Sequence, residues 1–216
     1  METSLVPAPP AVVQVFDKPT RLSVRQRKRW LEILTSLDAR NTYVVYDDHG
    51  NPVLEVQEQG GGFGHFLKRV FLGAFRPFTA KVEDLTGQRP LLELRRPFRF
   101  IFHRLEVHGP DGKLLGSIQR RWTWVRRKYT IENPSGQEIA TLFGPILRPW
   151  TFEVQLPGSD REVGLVQKKW SGLLKEAFTE ADNFWVQYDA VTDPALRALL
   201  FAATVLIDVV HFERSG

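Results

Sequence analysis

The chain has 216 residues, 29 Lys and Arg against 25 Asp and Glu, and a formal net charge of +4. That length supports one substantial hydrophobic core. The absence of cysteine excludes disulfides, thiolate metal centres, thiol catalysis and S-acylation.

In chain order, residues 1–19 are proline-rich (Pro7, Pro9, Pro10, Pro19) and read as a flexible tail ahead of a single domain spanning 20–216. The tail carries neither the basic start nor the long apolar stretch of a secretory signal. A basic run, Arg25–Arg29, leads into Trp30-Leu31-Glu32-Ile33-Leu34. From Asn41 the pattern changes to short strands and tight turns. Tyr43–Tyr46 and Pro52–Val56 flank Asp47-Asp48-His49-Gly50-Asn51, a hairpin signature. Further turns fall at Leu85–Gln88, Gly109–Gly112, Asn133–Gly136 and Pro157–Asp160, with their glycines 22 to 25 residues apart. Between them residues alternate with period two: Phe78, Ala80 and Val82 on one face, Thr79, Lys81 and Glu83 on the other. About a dozen such strands predict a mainly β fold, a closed antiparallel barrel.

One insertion interrupts the meander. Gly60–Gly64 lacks the Lys-Ser/Thr that would complete a phosphate loop. Beyond it, Phe63, Phe66, Leu67, Val70, Phe71, Ala74 and Phe75 share a helical face opposite His65, Lys68 and Arg69. Such a segment packs on the barrel or lies in a lipid interface. Farther on, Arg120-Arg121-Trp122-Thr123-Trp124-Val125-Arg126-Arg127-Lys128-Tyr129 sets five cations among three aromatics. That composition suits an anionic membrane surface, a stacking platform for single-stranded nucleic acid, or a barrel rim with Trp stacked under Arg.

The stretch Thr192–Phe212 closes the chain as a helix, with Asp193 as cap and Pro194 at its first position. Its apolar residues cover most of the circumference, so it is buried in protein or membrane. Only ten uncharged residues separate Arg197 from Asp208, short of the roughly 20 a membrane span needs. The helix is therefore expected to fill the barrel, with a single-pass anchor as the alternative. Arg197, Thr204, Asp208 and His211 recur at i, i+7, i+11 and i+14 and form one narrow polar stripe. It reads as a seam of paired groups, or as a polar track that a lipid headgroup could follow.

Signs of catalysis are weak. The five histidines make no pair at helical metal spacing, Gly116-Ser117 sits inside an alternating strand, and the carboxylates are scattered over solvent faces. No enzymatic turnover is expected.

The segment Lys169-Trp170-Ser171-Gly172-Leu173-Leu174-Lys175-Glu176-Ala177-Phe178-Thr179-Glu180-Ala181-Asp182-Asn183-Phe184 resembles the phospholipid scramblase family. So do Leu31–Thr35, Arg76–Thr79, Thr86–Gln88, Leu94–Pro97, Leu206–Asp208 and Phe212-Glu213. The likeness runs from about Leu22 to Glu213. It implies a Tubby-like barrel threaded by its C-terminal helix, and calcium-dependent, energy-independent movement of phospholipid between leaflets. It also implies a calcium segment aligned with residues 180–191. Here Trp185 and Val191 replace the glycine and the acid that an EF-hand-type loop would have, so Glu180, Asp182, Asn183 and Asp189 make at best a weak Ca2+ site. Animal members carry lipid-modified cysteines in the positions matching Phe66–Phe75 and Phe98–Phe102, where this chain has aromatics and arginines. The expected lipid contacts are therefore Phe66, Lys68, Arg69, Phe71, Phe98 and Phe100, with Arg121, Trp122, Trp124, Arg126, Arg127 and Lys128. The sequence thus predicts a cytoplasmic, peripherally membrane-associated scramblase-like protein whose partner is an anionic phospholipid surface. The alternative is a soluble module that binds anionic lipid or nucleic acid without scrambling.

Overall fold

The computed structural model of the chain describes residues 7–26, 42–59, 78–97, 104–123, 127–148, 150–159, 161–169 and 183–211. They comprise a short helix α1 (Pro10–Phe16), twelve strands and a closing helix α2 (Pro194–His211). The strands are β1 (Arg21–Gln26), β2 (Thr42–Tyr46), β3 (Pro52–Gln59), β4 (Phe78–Asp84), β5 (Arg89–Arg96), β6 (Arg104–His108), β7 (Leu114–Arg121), β8 (Arg127–Glu132), β9 (Glu138–Gly144), β10 (Thr151–Gln155), β11 (Glu162–Lys169) and β12 (Asn183–Gln187). Each pairs antiparallel with its sequence neighbours, and β1 pairs with both β2 and β12, so the sheet closes and leaves no free edge.

Alternation decides the inside. Leu54, Val56, Val82, Leu92, Leu94, Leu105, Val107, Ile118, Ile131, Leu142, Val154 and Val166 are buried, while Lys81, Glu83 and Arg95 between such positions stay exposed. The lumen is filled by α2. Every residue from Ala198 to Ile207 is buried, so the helix is enclosed on all sides. It approaches β7 so closely that a Cβ on Gly116 would lie 2.5 Å from the Glu132 carbonyl oxygen and 2.9 Å from Leu199 Cδ1. The expected cap is present, with Leu196 N–H donating to Asp193 Oδ1 at 2.7 Å. Among the described residues, no helix is long and apolar enough to cross a membrane.

The barrel has two unlike ends. At one, the hairpin end, connections are tight and polar side chains are consumed by the turns. Asp47 accepts the amides of His49 and Asn51, Asn133 accepts that of Gln137, and Asp84 accepts those of Thr86 and Gly87. Gly50, Gly112, Gly136 and Gly158 hold φ between 76° and 84° there, where a side chain would be strained. Register shifts at Val45/Tyr46, Val82/Glu83, Val107/His108, Ile131/Glu132 and Val154/Gln155 all lie just before or after these turns. The other, the loop end, receives the connections 27–41, 60–77, 97–103, 122–126, 145–150 and 170–182.

The proline-rich start departs from the expected tail. Pro10 and the fixed φ of its ring open α1 instead, and Val12 and Phe16 are fully buried against the core, Phe16 5.7 Å from Phe201. Seven residues make no stable helix alone, so packing holds it. Arg197 supplies much of that hold. Its Nη1 donates to the carbonyl oxygens of Phe16 (2.8 Å) and Asp17 (2.7 Å), and its Nε to that of Val191 (2.6 Å). Arg89 adds a bond to Gln14 Oε1. Thus α1 seals the hairpin end.

Candidate functional site at the loop end of the barrel

Every segment expected to meet lipid joins the barrel at the loop end. Phe66, Lys68, Arg69 and Phe71 lie between β3 and β4, Phe98 and Phe100 between β5 and β6, and Trp124 and Arg126 between β7 and β8. These eight residues themselves lie outside the described ones.

The described lumen-facing groups near that end are four cations and one carboxylate, Glu58, of which Arg96, Lys168 and Glu58 are buried. Strand alternation places Arg96, Arg120, Arg127 and Lys168 on the lumen face, one step beyond Leu94, Ile118, Tyr129 and Val166. The Arg127 guanidinium stands 5.0 Å from the Phe152 ring centre, and Lys168 Nζ lies 5.5 Å from that of Phe184 and 6.0 Å from that of Trp150. An aromatic under Arg127 is thus Phe152 of β10, two strands away across β9. Burial, and to a smaller degree Arg120, lower the Arg127 pKa although Tyr129 opposes them. Burial raises the Tyr129 hydroxyl well above its ordinary value, against the pull of Arg120, Arg127 and Arg96. Because α2 enters from the hairpin end, its C-terminal turn points to this cationic mouth, as the helix dipole favours.

The outer face sorts the remaining candidates. Arg121 is committed to the wall, donating from Nε to Thr130 Oγ1 at 2.9 Å and from Nη2 to Glu132 Oε1 at 2.6 Å. Glu132 also accepts from Arg104 and Ser117, both at 3.4 Å. Lys128 is half-buried, and Trp122 is 63% exposed. The turn between β9 and β10 went unnoticed in the sequence. There Ile146 is 55% and Leu147 94% exposed, with exposed Arg148 next to them. An apolar pair at the centre of a short turn, flanked by Pro145 and Arg148, was the available signal.

The calcium set does not come together. Asn183 opens β12 at the loop end, whereas Asp189 lies in the turn beyond its other end, where it accepts a bond from Gln187 at 2.8 Å. Six extended residues put roughly 20 Å between them. A ladder on both sides of β12 forbids the coiled loop that an ion would need. Glu180 and Asp182 lie outside the described residues, among which no cluster of potential metal ligands occurs. The described part of the segment, 183–189, does not form a calcium loop.

The polar stripe of α2 also divides. Arg197 binds backbone carbonyls of α1 and its linker, and Thr204 Oγ1 donates to the Phe201 carbonyl at 2.6 Å. Arg197 thus reaches the barrel end, one form of the expected seam, while Thr204 bonds within its own helix. Asp208 and His211 fall in the last turns of α2, and their side chains lie outside the description.

A closed twelve-stranded antiparallel barrel built around its own C-terminal helix, sealed at one end and cationic at the other, defines the class of protein. Within it the chain belongs to the Scramblase family, whose model matches residues 1–214. It is 30% identical to mouse phospholipid scramblase 1 over 99% of this chain and 69% of that protein. To human phospholipid scramblase 2 it is 28% identical over 97% of this chain and 75% of the other. Among solved structures, one protein from Arabidopsis thaliana superposes with a TM-score of 0.54 at 16% identity, covering 95% of this chain and 99% of that one, a likeness of fold.

Proposed function

We propose that this protein seats on the surface of an anionic phospholipid bilayer from the cytoplasmic side and lets phospholipids pass between leaflets without an energy source or covalent chemistry. The observation that supports it is the asymmetry of the barrel. One end is sealed by α1 and by turns that use up their own acids, while the other gathers Arg96, Arg120, Arg127 and Lys168 around an aromatic-lined mouth. Of these, Arg120 and Arg127 are only half-buried and can meet anionic headgroups, each Lys or Arg near such a surface contributing about 1 kcal/mol. That two of its relatives are named phospholipid scramblases supports the same reading. We assign calcium no step, because the described core of the aligned segment, Asn183–Gln187, is a paired strand. The last turns of α2, with Asp208 and His211, adjoin the mouth and are the section of the polar stripe left for a headgroup to meet.

The test is reconstitution of the full chain into vesicles carrying a fluorescent phospholipid, with leaflet exchange followed by dithionite quenching, with and without calcium. Exchange above protein-free vesicles, independent of calcium and lost in folded Asp208→Leu, is expected. A protein that binds vesicles without accelerating exchange refutes the transport reading.

A further inference from the structure

The β9–β10 connection breaks the rule that every hairpin-end turn obeys. Arg148 N–H donates to the Pro145 carbonyl at 3.2 Å, and Thr151 N–H to that of Arg148 at 3.1 Å. Pro145–Arg148 is thus a closed β-turn with Ile146 and Leu147 at its two central positions. Those positions ordinarily go to Gly, Asn, Asp or Ser, whose conformations and local hydrogen bonds suit a turn. The hairpin-end turns keep aliphatic residues out of their central positions, which hold Asp48-His49, Pro110-Asp111, Pro134-Ser135 and Pro157-Gly158. Placing Ile and Leu in water at a turn tip forgoes burial that the core offers elsewhere, and such local violations concentrate at functional sites.

Two further observations identify the occupant. Trp122, also exposed, leaves the same end of the barrel from β7, two strands away from β9. The stretches 120–128 and 144–151 carry six cations and no carboxylate. Apolar tips beside an exposed indole within a purely cationic sector match a lipid interface, where Trp sits at headgroup depth and aliphatic side chains lie below it.

We infer that the β7–β10 sector of the loop end is the edge by which the barrel docks on an anionic phospholipid bilayer, with Ile146 and Leu147 inserted among acyl chains, Trp122 at headgroup level, and Lys128 and Arg148 against phosphates. This rests on the function proposed above and fixes the orientation it requires.

Because the chain has no cysteine, single-cysteine labelling reports position directly. Full-length Leu147→Cys and Leu156→Cys, the latter at the hairpin end, are labelled with an environment-sensitive fluorophore and mixed with phosphatidylserine/phosphatidylcholine vesicles, with or without brominated acyl chains. The label at 147 is expected to shift blue and be quenched by bromine, and the label at 156 to stay aqueous. Lys128→Glu and Arg148→Glu should each weaken binding about fivefold or more on anionic vesicles and leave neutral vesicles unaffected. A silent label at 147 on protein that co-sediments with vesicles, an equal response at 156, charge variants of unchanged affinity, displacement of the response by single-stranded DNA, or no vesicle binding at all would each overturn the inference. Docking with no leaflet exchange refutes only the transport function. Exchange with a silent label at 147 refutes only this orientation.

Discussion

Arg197 tests whether α1 is part of the fold or an ornament on it. A cation in the first turns of a helix opposes the dipole of that helix. In α2 it is kept there because its guanidinium faces the C-terminal carbonyls of α1, donating to Phe16, Asp17 and Val191, while its plane lies 5.3 Å from the Tyr188 ring. Arg197→Met keeps the apolar stem and deletes all of these bonds. Hydrogen bonds from a charged group are worth about 1.5–3 kcal/mol each when buried. Arg197 is half-buried and its bonds are coupled, so a net loss of about 3 kcal/mol is expected, or roughly 6–12 °C in Tm for a domain of this size. Urea unfolding measures it, with hydrogen exchange read separately at the amides of Val12, Val13 and Asp17, whose partners are Pro9 and Val13. Both should fall, and Arg197→Lys should recover part of each. A loss under 1 kcal/mol with α1 protection unchanged would show that Val12 and Phe16 anchor the helix without Arg197.

Gly116→Ala drives a methyl into the Glu132 carbonyl and Leu199, so it should cost about 1–3 kcal/mol or more in denaturant unfolding. Asp84 gives a pH signature. Burial pushes its carboxyl up, but the Thr86 hydroxyl, the Gly87 and Thr86 amides and Arg89 together bring it below its ordinary value. With the folded pKa depressed, its contribution is complete above the unfolded value of about 4 and disappears as pH falls through the folded one. Asp84→Asn should therefore lower stability at pH 7 and flatten its decline below about pH 4 in a series of melts. Isothermal titration at micromolar calcium should show no stoichiometric uptake, and Asp189→Ala should shift stability by less than about 0.5 kcal/mol. Joint replacement of Phe66, Phe71, Phe98 and Phe100 by Ser should reduce vesicle co-sedimentation, and unchanged sedimentation would remove those segments from the membrane contact.

Much of the fold was legible because period-two alternation and turn glycines are local signals. The twelve strands, the Asp193 cap and the enclosed helix all follow from them. The closure of β1 onto β12 is not local: Leu22 opposes Val186 across most of the chain. Nor is α1 legible, since its proline-rich start reads as extended chain and only tertiary contact with Phe201 and Arg197 makes it a helix. The site was half legible. Residue types at Arg120–Tyr129 left a membrane surface, a nucleic-acid platform or a barrel rim open, and nothing in their order showed Arg121 turning outward to Glu132 while Arg127 turns inward over Phe152. Ile146 and Leu147 escaped notice because two apolar residues are an ordinary sight in a strand, and only the turn makes them anomalous.

Enclosure of α2 also constrains how lipid and protein can meet. Moving the helix from the lumen into a bilayer gains little, since both surroundings are comparably apolar. It would strip the cover from the inner wall, where Leu54, Leu94, Leu105, Ile118, Ile131 and Val166 are fully buried. At about 2 kcal/mol for each such side chain, uncovering only ten would cost roughly 20 kcal/mol, against a total stability of about 5–15 kcal/mol for a typical domain. A barrel that stays folded therefore cannot lend its helix as an anchor. On the function proposed above, the lipid comes to the barrel, at the loop end where cations, exposed apolar tips and the end of α2 converge.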